Sequence, residues 1–249
     1  MNKRKKILFG LFFLLLSSCT ATRVSSKTQL LPTKSFVKIL HTTEIISCKD
    51  NKDPKCPIGL YAQSGSGMAV DLFPNKMTVL TAGHVCNSEP AKFINKVEQF
   101  NYVIDHLNMK HQAWVINFSL NNDSGSGDLC LLWVPTLDVP KVLFSSSAPK
   151  VGDDLLYIGA PKGIYHPPTA PIFKGIYSGK IDASSAMVTF PAIGGSSGAA
   201  VLNKNSRIVG VVFAANREFH HVSLITTFRS LRSFLSQTKA KVKSLNNIQ

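Results

Sequence analysis

The sequence predicts an all-β protein built as two β subdomains and closed by a C-terminal α-helix, and three observations carry that prediction. Beyond a polar leader, apolar residues fall in short runs separated by turn residues, without long stretches of 3.6-residue period. The segment 139–152, with Pro140, Ser145-Ser146-Ser147, Pro149 and Gly152, interrupts these runs and reads as a connector between two halves. The pattern changes character at 227–243, where Phe228, Leu231, Phe234 and Leu235 recur at i, i+3, i+6 and i+7 with Arg and Lys between them, the signature of an amphipathic helix. The 249 residues, 44% hydrophobic and 17% charged, suffice for a substantial core. They are too apolar for a disordered chain and too interrupted by polar residues for a multispanning membrane protein.

Taken in order, the chain begins with Lys3, Arg4, Lys5 and Lys6 ahead of the apolar run 7–16. A membrane-spanning helix needs about twenty apolar residues, so this shorter run reads as an export signal, 1–19, outside the fold. Leu16-Ser17-Ser18-Cys19 resembles the bacterial lipoprotein box, which makes Cys19 the lipidated first residue of the mature chain and a lipid anchor in the cell envelope. Thr20 after it favours the outer membrane in a didermic host. The alternative is an ordinary signal cleaved among residues 17–21, giving a secreted protein; both readings export the chain. A polar leader, 20–34, precedes the first β subdomain, 35–144, with candidate strands at 67–73, 77–81, 113–118 and 129–134. The second, 145–226, has candidates at 155–159, 176–181, 186–190, 199–202 and 208–213, and the helix 227–243 follows. Asn, Asp, Gly and Ser clusters between the runs supply the turns.

Without the four cations of the signal, 24 Lys and Arg face 14 Asp and Glu, a net charge of +10. Such a surface is drawn to anionic polymers or lipid headgroups, yet it holds no dense basic run with interleaved aromatics, so no specific nucleic-acid partner is expected. Of five cysteines, setting Cys19 aside leaves four, enough for two disulfides in an oxidising compartment. Cys48 and Cys56 bracket a polar loop that a local bridge would fasten. Cys86 and Cys130 read either as neighbours or as two buried free thiols. No CxxC or HxxxH spacing occurs, and no metal or cofactor is expected.

A serine hydroxyl holds its proton too tightly to attack at neutral pH, so acyl transfer needs a base, a group that orients the base, and donors for the oxyanion. Gly194-Gly195-Ser196-Ser197-Gly198-Ala199-Ala200 places serines between glycines that allow a tight turn. Met77-Thr78-Val79-Leu80-Thr81-Ala82-Gly83-His84 runs a strand into small residues that leave room for an imidazole. Gly127-Asp128-Leu129-Cys130-Leu131-Leu132 sets one acid at the head of an apolar strand, where it would select the tautomer that leaves Nε2 free.

These three segments, in the order His, Asp, Ser, resemble the signature segments of trypsin-like serine proteases. Gly65-Ser66-Gly67-Met68 and the stretch Lys150-Val151-Gly152-Asp153 through Tyr157-Ile158-Gly159-Ala160-Pro161 resemble the HtrA-type and glutamyl-endopeptidase-like branches. The resemblance spans about residues 58–238. It implies the chymotrypsin-like fold of two six-stranded antiparallel β-barrels with a C-terminal helix, and serine endopeptidase activity on polypeptides without a cofactor. It also implies Ser197 as nucleophile, His84 as base, Asp128 as its orienting acid, and the backbone N–H groups of Gly195 and Ser197 as oxyanion hole. Ser197 rather than Ser196 fits the Gly-x-Ser-Gly pattern. Ser196 stands where digestive members carry an acid, and Ala199-Ala200 replaces their Gly-Pro.

By the same resemblance the substrate pocket falls to Pro191, Val212, Phe213 and Ala214, which offer no carboxylate for a Lys or Arg side chain. His220 and His221 lie near the position of a substrate-binding histidine in glutamate-specific relatives; the choice for P1 is between an acidic and a small or aliphatic residue. The chain stops soon after the predicted helix, so no PDZ module of the HtrA kind is expected, and a monomer is expected. The competing reading is a catalytically inactive protease-fold envelope lipoprotein that binds polypeptides or anionic polymers.

Overall fold

The computed structural model describes residues 30–50, 56–87, 90–120, 127–216, 218–219 and 221–246. The export signal, Cys19 and the leader as far as residue 29 lie outside the described residues. A 3₁₀ turn at Thr33–Ser35 leads into the first strand.

Twelve strands among the described residues form two closed barrels of six. β1 (Phe36–Cys48), β2 (Gly59–Val70), β3 (Thr78–Thr81), β4 (Ile94–Ile104), β5 (Lys110–Ser119) and β6 (Leu129–Trp133) close in the order β1-β2-β3-β6-β5-β4. β7 (Asp154–Ile158), β8 (Ile172–Lys180), β9 (Ser185–Val188), β10 (Ala200–Leu202), β11 (Ile208–Ala215) and β12 (Ser223–Thr226) close in the order β10-β11-β12-β9-β8-β7. Every pairing between them is antiparallel. Closure leaves no unpaired sheet edge around the ring.

The strands differ in how the sequence marks them. In β8 exposure alternates residue by residue, and Phe173 and Tyr177 on its inner face pack into the core of the second barrel. β3, with Val79 and Leu80 between two threonines, and the apolar β6 are by contrast buried at every position but Trp133. They share one buried cluster with Leu137, Val139 and Val142 of the linker and with Leu231, Phe234 and Leu235 of the C-terminal helix, so both of their faces meet protein. Three strands lie outside the candidate runs read from the sequence: β1, β4 and β12.

The linker holds the barrels together by pairing with each in turn. Val142 N–H donates to Ala69 O at 2.9 Å, and Ile208 N–H donates to Leu143 O at 3.0 Å. The C-terminal helix α2 (Phe228–Asn246) starts at Thr227, whose Oγ1 accepts the Ser230 N–H as an N-cap. It returns to the first barrel, where Asn117 Nδ2 donates to Thr238 Oγ1 at 2.9 Å. Among the described residues no helix is long and apolar enough to cross a membrane.

Two disulfides complete the frame: Cys48–Cys56 at the end of β1, and Cys86–Cys130, which joins the one-turn helix α1 (Gly83–Cys86) to β6. The second resolves the open reading of those two thiols. Chain entropy alone assigns about 2.5 kcal/mol to the short loop and about 4 kcal/mol to the longer one. Such bonds persist in an oxidising compartment outside the cytoplasm.

Candidate active site

β3 ends at Thr81, and the chain turns through Ala82 into α1, which carries His84 toward the start of β6. Gly83 allows this approach, because a Cβ there would collide with Ser119 O and Asp128 Oδ1. Asp128 then grips His84 twice. Its Oδ1 accepts the His84 backbone N–H at 2.9 Å, and its Oδ2 lies 2.5 Å from Nδ1. A carboxylate offers only acceptors, so Nδ1 carries the proton and Nε2 presents a lone pair. Asp128 is buried, whereas the imidazole is 43% exposed and opens onto the cleft.

The surroundings hold this pair in place. Ser119 Oγ donates to Gly127 O at 2.7 Å just before Asp128, and Asn101 Nδ2 donates to Cys86 O at 3.0 Å behind α1. Gln63 Nε2 donates to His84 O at 3.2 Å. The disulfide Cys86–Cys130 sits two residues beyond both His84 and Asp128.

The glycine-rich loop 194–198 separates its two serines by environment. Ser196 is fully buried, and its Oγ accepts from Tyr157 OH and from Ile193 N–H, each at 3.3 Å. Ser197 is half-buried and lines a cleft of about 410 Å³ together with His84, Gly195, Gln63 and Lys162. Gly198 makes that presentation possible: its φ is +88°, and a Cβ would run into Ser66 O and Thr81 Oγ1. The N–H groups of Gly195 and Ser197 have no partner among the described residues. Nor does any hydrogen bond join Ser197 Oγ to His84 among the described residues.

On its other side Ser197 borders a cavity of about 450 Å³ walled by Ala192, Ile193, Val212, Phe213 and Ala214, with Asn216 also lining it. None of the described residues lining it is charged. Of the residues that the sequence assigns to substrate contact, Val212, Phe213 and Ala214 line this cavity; Pro191 and His221 do not. Pro191 lines an adjoining apolar pocket beside Tyr157 and Phe173, and its carbonyl accepts Tyr157 OH at 2.6 Å. Burial pushes the Tyr157 phenol up to about 12, so it stays protonated as that donor. His221 is exposed and stands edgewise to Phe219, with ring centroids 5.8 Å apart. His220 lies outside the described residues. No cluster of three or more His, Cys, Asp or Glu that could hold a metal ion exists among the described residues.

The comparisons with known proteins bear on this geometry. The family described as the trypsin-like peptidase domain matches residues 65–211, more than half of the chain, and that stretch contains His84, Asp128 and Ser197. The chain belongs to this family. As a trypsin-like peptidase it falls among the serine protease hydrolases. No curated protein matches its sequence. Among solved structures, this trypsin-like peptidase is similar to the active form of the Rv3671c protease from M. tuberculosis. The TM-score is 0.59 at 20% identity, covering 82% of this chain and 81% of that one. It is also similar to the serine endoprotease from Yersinia pestis, with a TM-score of 0.57 at 16% identity, covering 84% of this chain and 64% of that one. At such identities the likeness is one of fold, and it is the two-barrel fold described above.

Proposed function

We propose that the protein is a serine endopeptidase that cleaves polypeptides outside the cytoplasm through an acyl-enzyme. The observation that carries this reading is the paired grip of Asp128 on His84, which leaves Nε2 free at the cleft that Ser197 borders. In the proposed reaction Ser197 Oγ bonds to the scissile carbonyl carbon as its proton passes to His84 Nε2. The oxyanion is taken by the unpartnered N–H groups of Gly195 and Ser197. His84 then gives the proton to the leaving amine as the C–N bond breaks, and a water molecule repeats the cycle to free the acid. Asp128 stays ionised and steadies the imidazolium.

The side chains of Ala192, Ile193, Val212, Phe213 and Ala214 on the cavity beside Ser197, with no charge among the described lining residues, favour a small or aliphatic P1 residue. With His221 outside that cavity, no described residue on its walls carries a positive charge to pair with an acidic one. The lipoprotein-box reading of Cys19 supports a membrane tether, and the disulfides support an oxidising compartment. We take the unit to be a monomer.

A peptide-library cleavage profile of the purified protein, set beside the His84→Ala variant, tests the proposal. Cleavage after small or aliphatic residues that vanishes in His84→Ala is expected; cleavage that persists in the variant would overturn the assignment. The unjoined Ser197 and His84 favour a second reading, a protease-fold lipoprotein that binds polypeptides without cutting them. A folded wild type that binds the library and cleaves none of it would establish that one. Catalytic hydrogen bonds are often long in ligand-free enzymes and tighten with substrate, and we therefore place it second.

A further inference from the structure

Ser66 lies on β2 in the first barrel and is fully buried, yet its contacts run to the second barrel. Its backbone N–H donates to Ser197 O at 2.8 Å, and its Oγ donates to Gly195 O at 2.7 Å. The same Oγ accepts the Ala160 N–H at 2.9 Å. Its carbonyl in turn accepts Thr81 Oγ1 at 2.7 Å, which ties it to the strand leading into His84. A single residue therefore touches the loop 194–198, the loop after β7, and the approach to α1.

The two carbonyls that Ser66 holds belong to Gly195 and Ser197, the same residues whose N–H groups are unpartnered. A peptide unit is planar, so the Gly195 carbonyl that Ser66 holds fixes the unit joining Gly195 to Ser196, whose N–H donates to Ile193 O at 2.8 Å; the N–H groups of Gly195 and Ser197 belong to the units on either side of this fixed one. A third carbonyl is held beside them: Gly194 O accepts the Lys162 N–H at 2.7 Å, which turns the Gly195 N–H the opposite way. Lys162 reaches that position with a φ of +53°, an uncommon backbone conformation for a residue with a side chain. The Ser66 hydroxyl is the one side-chain group in this set, and it uses its single proton on the glycine loop while receiving one from Ala160. Such a donor-acceptor chain strengthens both of its bonds. Without the hydroxyl, Gly195 C=O and Ala160 N–H would be left unpaired beside a glycine with a free backbone.

We propose that Ser66 is a positioning residue of this peptidase: its hydroxyl anchors the peptide unit between Gly195 and Ser196, which joins the two donor-bearing units, so that the N–H groups of Gly195 and Ser197 keep their aim at the oxyanion. This rests on the serine endopeptidase reading above. It predicts a defect in the transition state and not in ground-state binding. Deleting one oxyanion donor outright costs about 10²–10³ in kcat; loosening one should cost less, about 10–100-fold.

The test measures kcat and KM for Ser66→Ala, scaled to active sites titrated with a fluorophosphonate, alongside inhibition by a peptidyl aldehyde whose tetrahedral adduct carries the oxyanion. The expected result is the fall in kcat with KM within about twofold of wild type and a parallel loss of aldehyde affinity. Ser66→Cys, of similar size with a weaker donor, should fall between the two, and it serves as the readout if Ser66→Ala does not fold. Unchanged kcat per titrated site with a lowered Tm would make Ser66 merely structural and overturn the proposal while leaving the peptidase reading intact. A folded wild type that neither cleaves peptide nor reacts with the fluorophosphonate would overturn both.

Discussion

Asp128 is bound to His84 through the backbone and the ring at once, so its carboxylate fixes both the position and the tautomer of the imidazole. An amide at this position would keep the shape and present a donor to Nδ1, which reverses the tautomer and blocks Nε2 as a base. Asp128→Asn should therefore lower kcat by about 10⁴ while leaving the melting temperature close to that of the wild type, as read by steady-state kinetics and calorimetry. The pairing of these two residues was legible in the sequence because His84 follows the small residues Ala82 and Gly83 at the end of an apolar strand and Asp128 is the one acid at the head of another. Ser66 was visible only as part of Gly65-Ser66-Gly67-Met68; nothing in the sequence says that its hydroxyl crosses to the other barrel, since that contact depends on how the two closed sheets meet. Pro191 and His221 do not line the cavity beside Ser197 for the same kind of reason. A residue near a pocket in sequence can turn its carbonyl to a tyrosine or its ring to solvent.

At the level of elements, the stability of the site depends on how α1 is held against β6. The Cys86–Cys130 bridge closes a 44-residue separation, and removing it as Cys86→Ala with Cys130→Ala should cost about 4 kcal/mol in denaturant unfolding. It should also lower activity more than loss of Cys48–Cys56 does, because only the former lies beside His84 and Asp128. The β4–β5 hairpin carries a second acid with a structural task. Asp105 is buried, which raises its pKa, but N–H donors from Met109 and Leu107 and a hydrogen bond with His111 outweigh this and hold it below 3.8. The burial of Tyr165, pushed up to about 12, with Asp105 adding to the shift, keeps that phenol neutral nearby. Since the folded value lies below the unfolded one, the carboxylate contributes stability at pH above 3.8 and loses it as the pH falls through the lower folded value. The melting temperature of the wild type should fall more steeply below about pH 4 than that of Asp105→Asn in a calorimetric pH series. Strands β3 and β6 announced themselves by short apolar runs, Met77 to Leu80 ahead of Thr81 and Leu129 to Trp133. β1 and β4 did not, because β1 carries Lys38, His41, Thr42, Thr43 and Glu44 in mid-strand and β4 interrupts its apolar residues with Asn95, Lys96, Glu98, Gln99 and Asn101.

For the molecule as a whole, two halves had to close into barrels and present residues from both at one groove. The connector, the change to helical period after residue 226 and the order of the motifs made that architecture readable. The path of β1, which pairs with β2 on one side and β4 on the other, was not, because such pairing is set by long-range register and not by local pattern. In the proposed function the basic surface and the tether act on where the enzyme works, and the chemistry is assigned to Ser197, His84 and Asp128 acting as a unit. The most direct test of that unit is mass spectrometry of the purified protein after reaction with a fluorophosphonate. The account predicts one adduct, mapped to Ser197, present in Ser196→Ala and lost in His84→Ala. An adduct on Ser196, or a folded wild type that takes up no label, would contradict it.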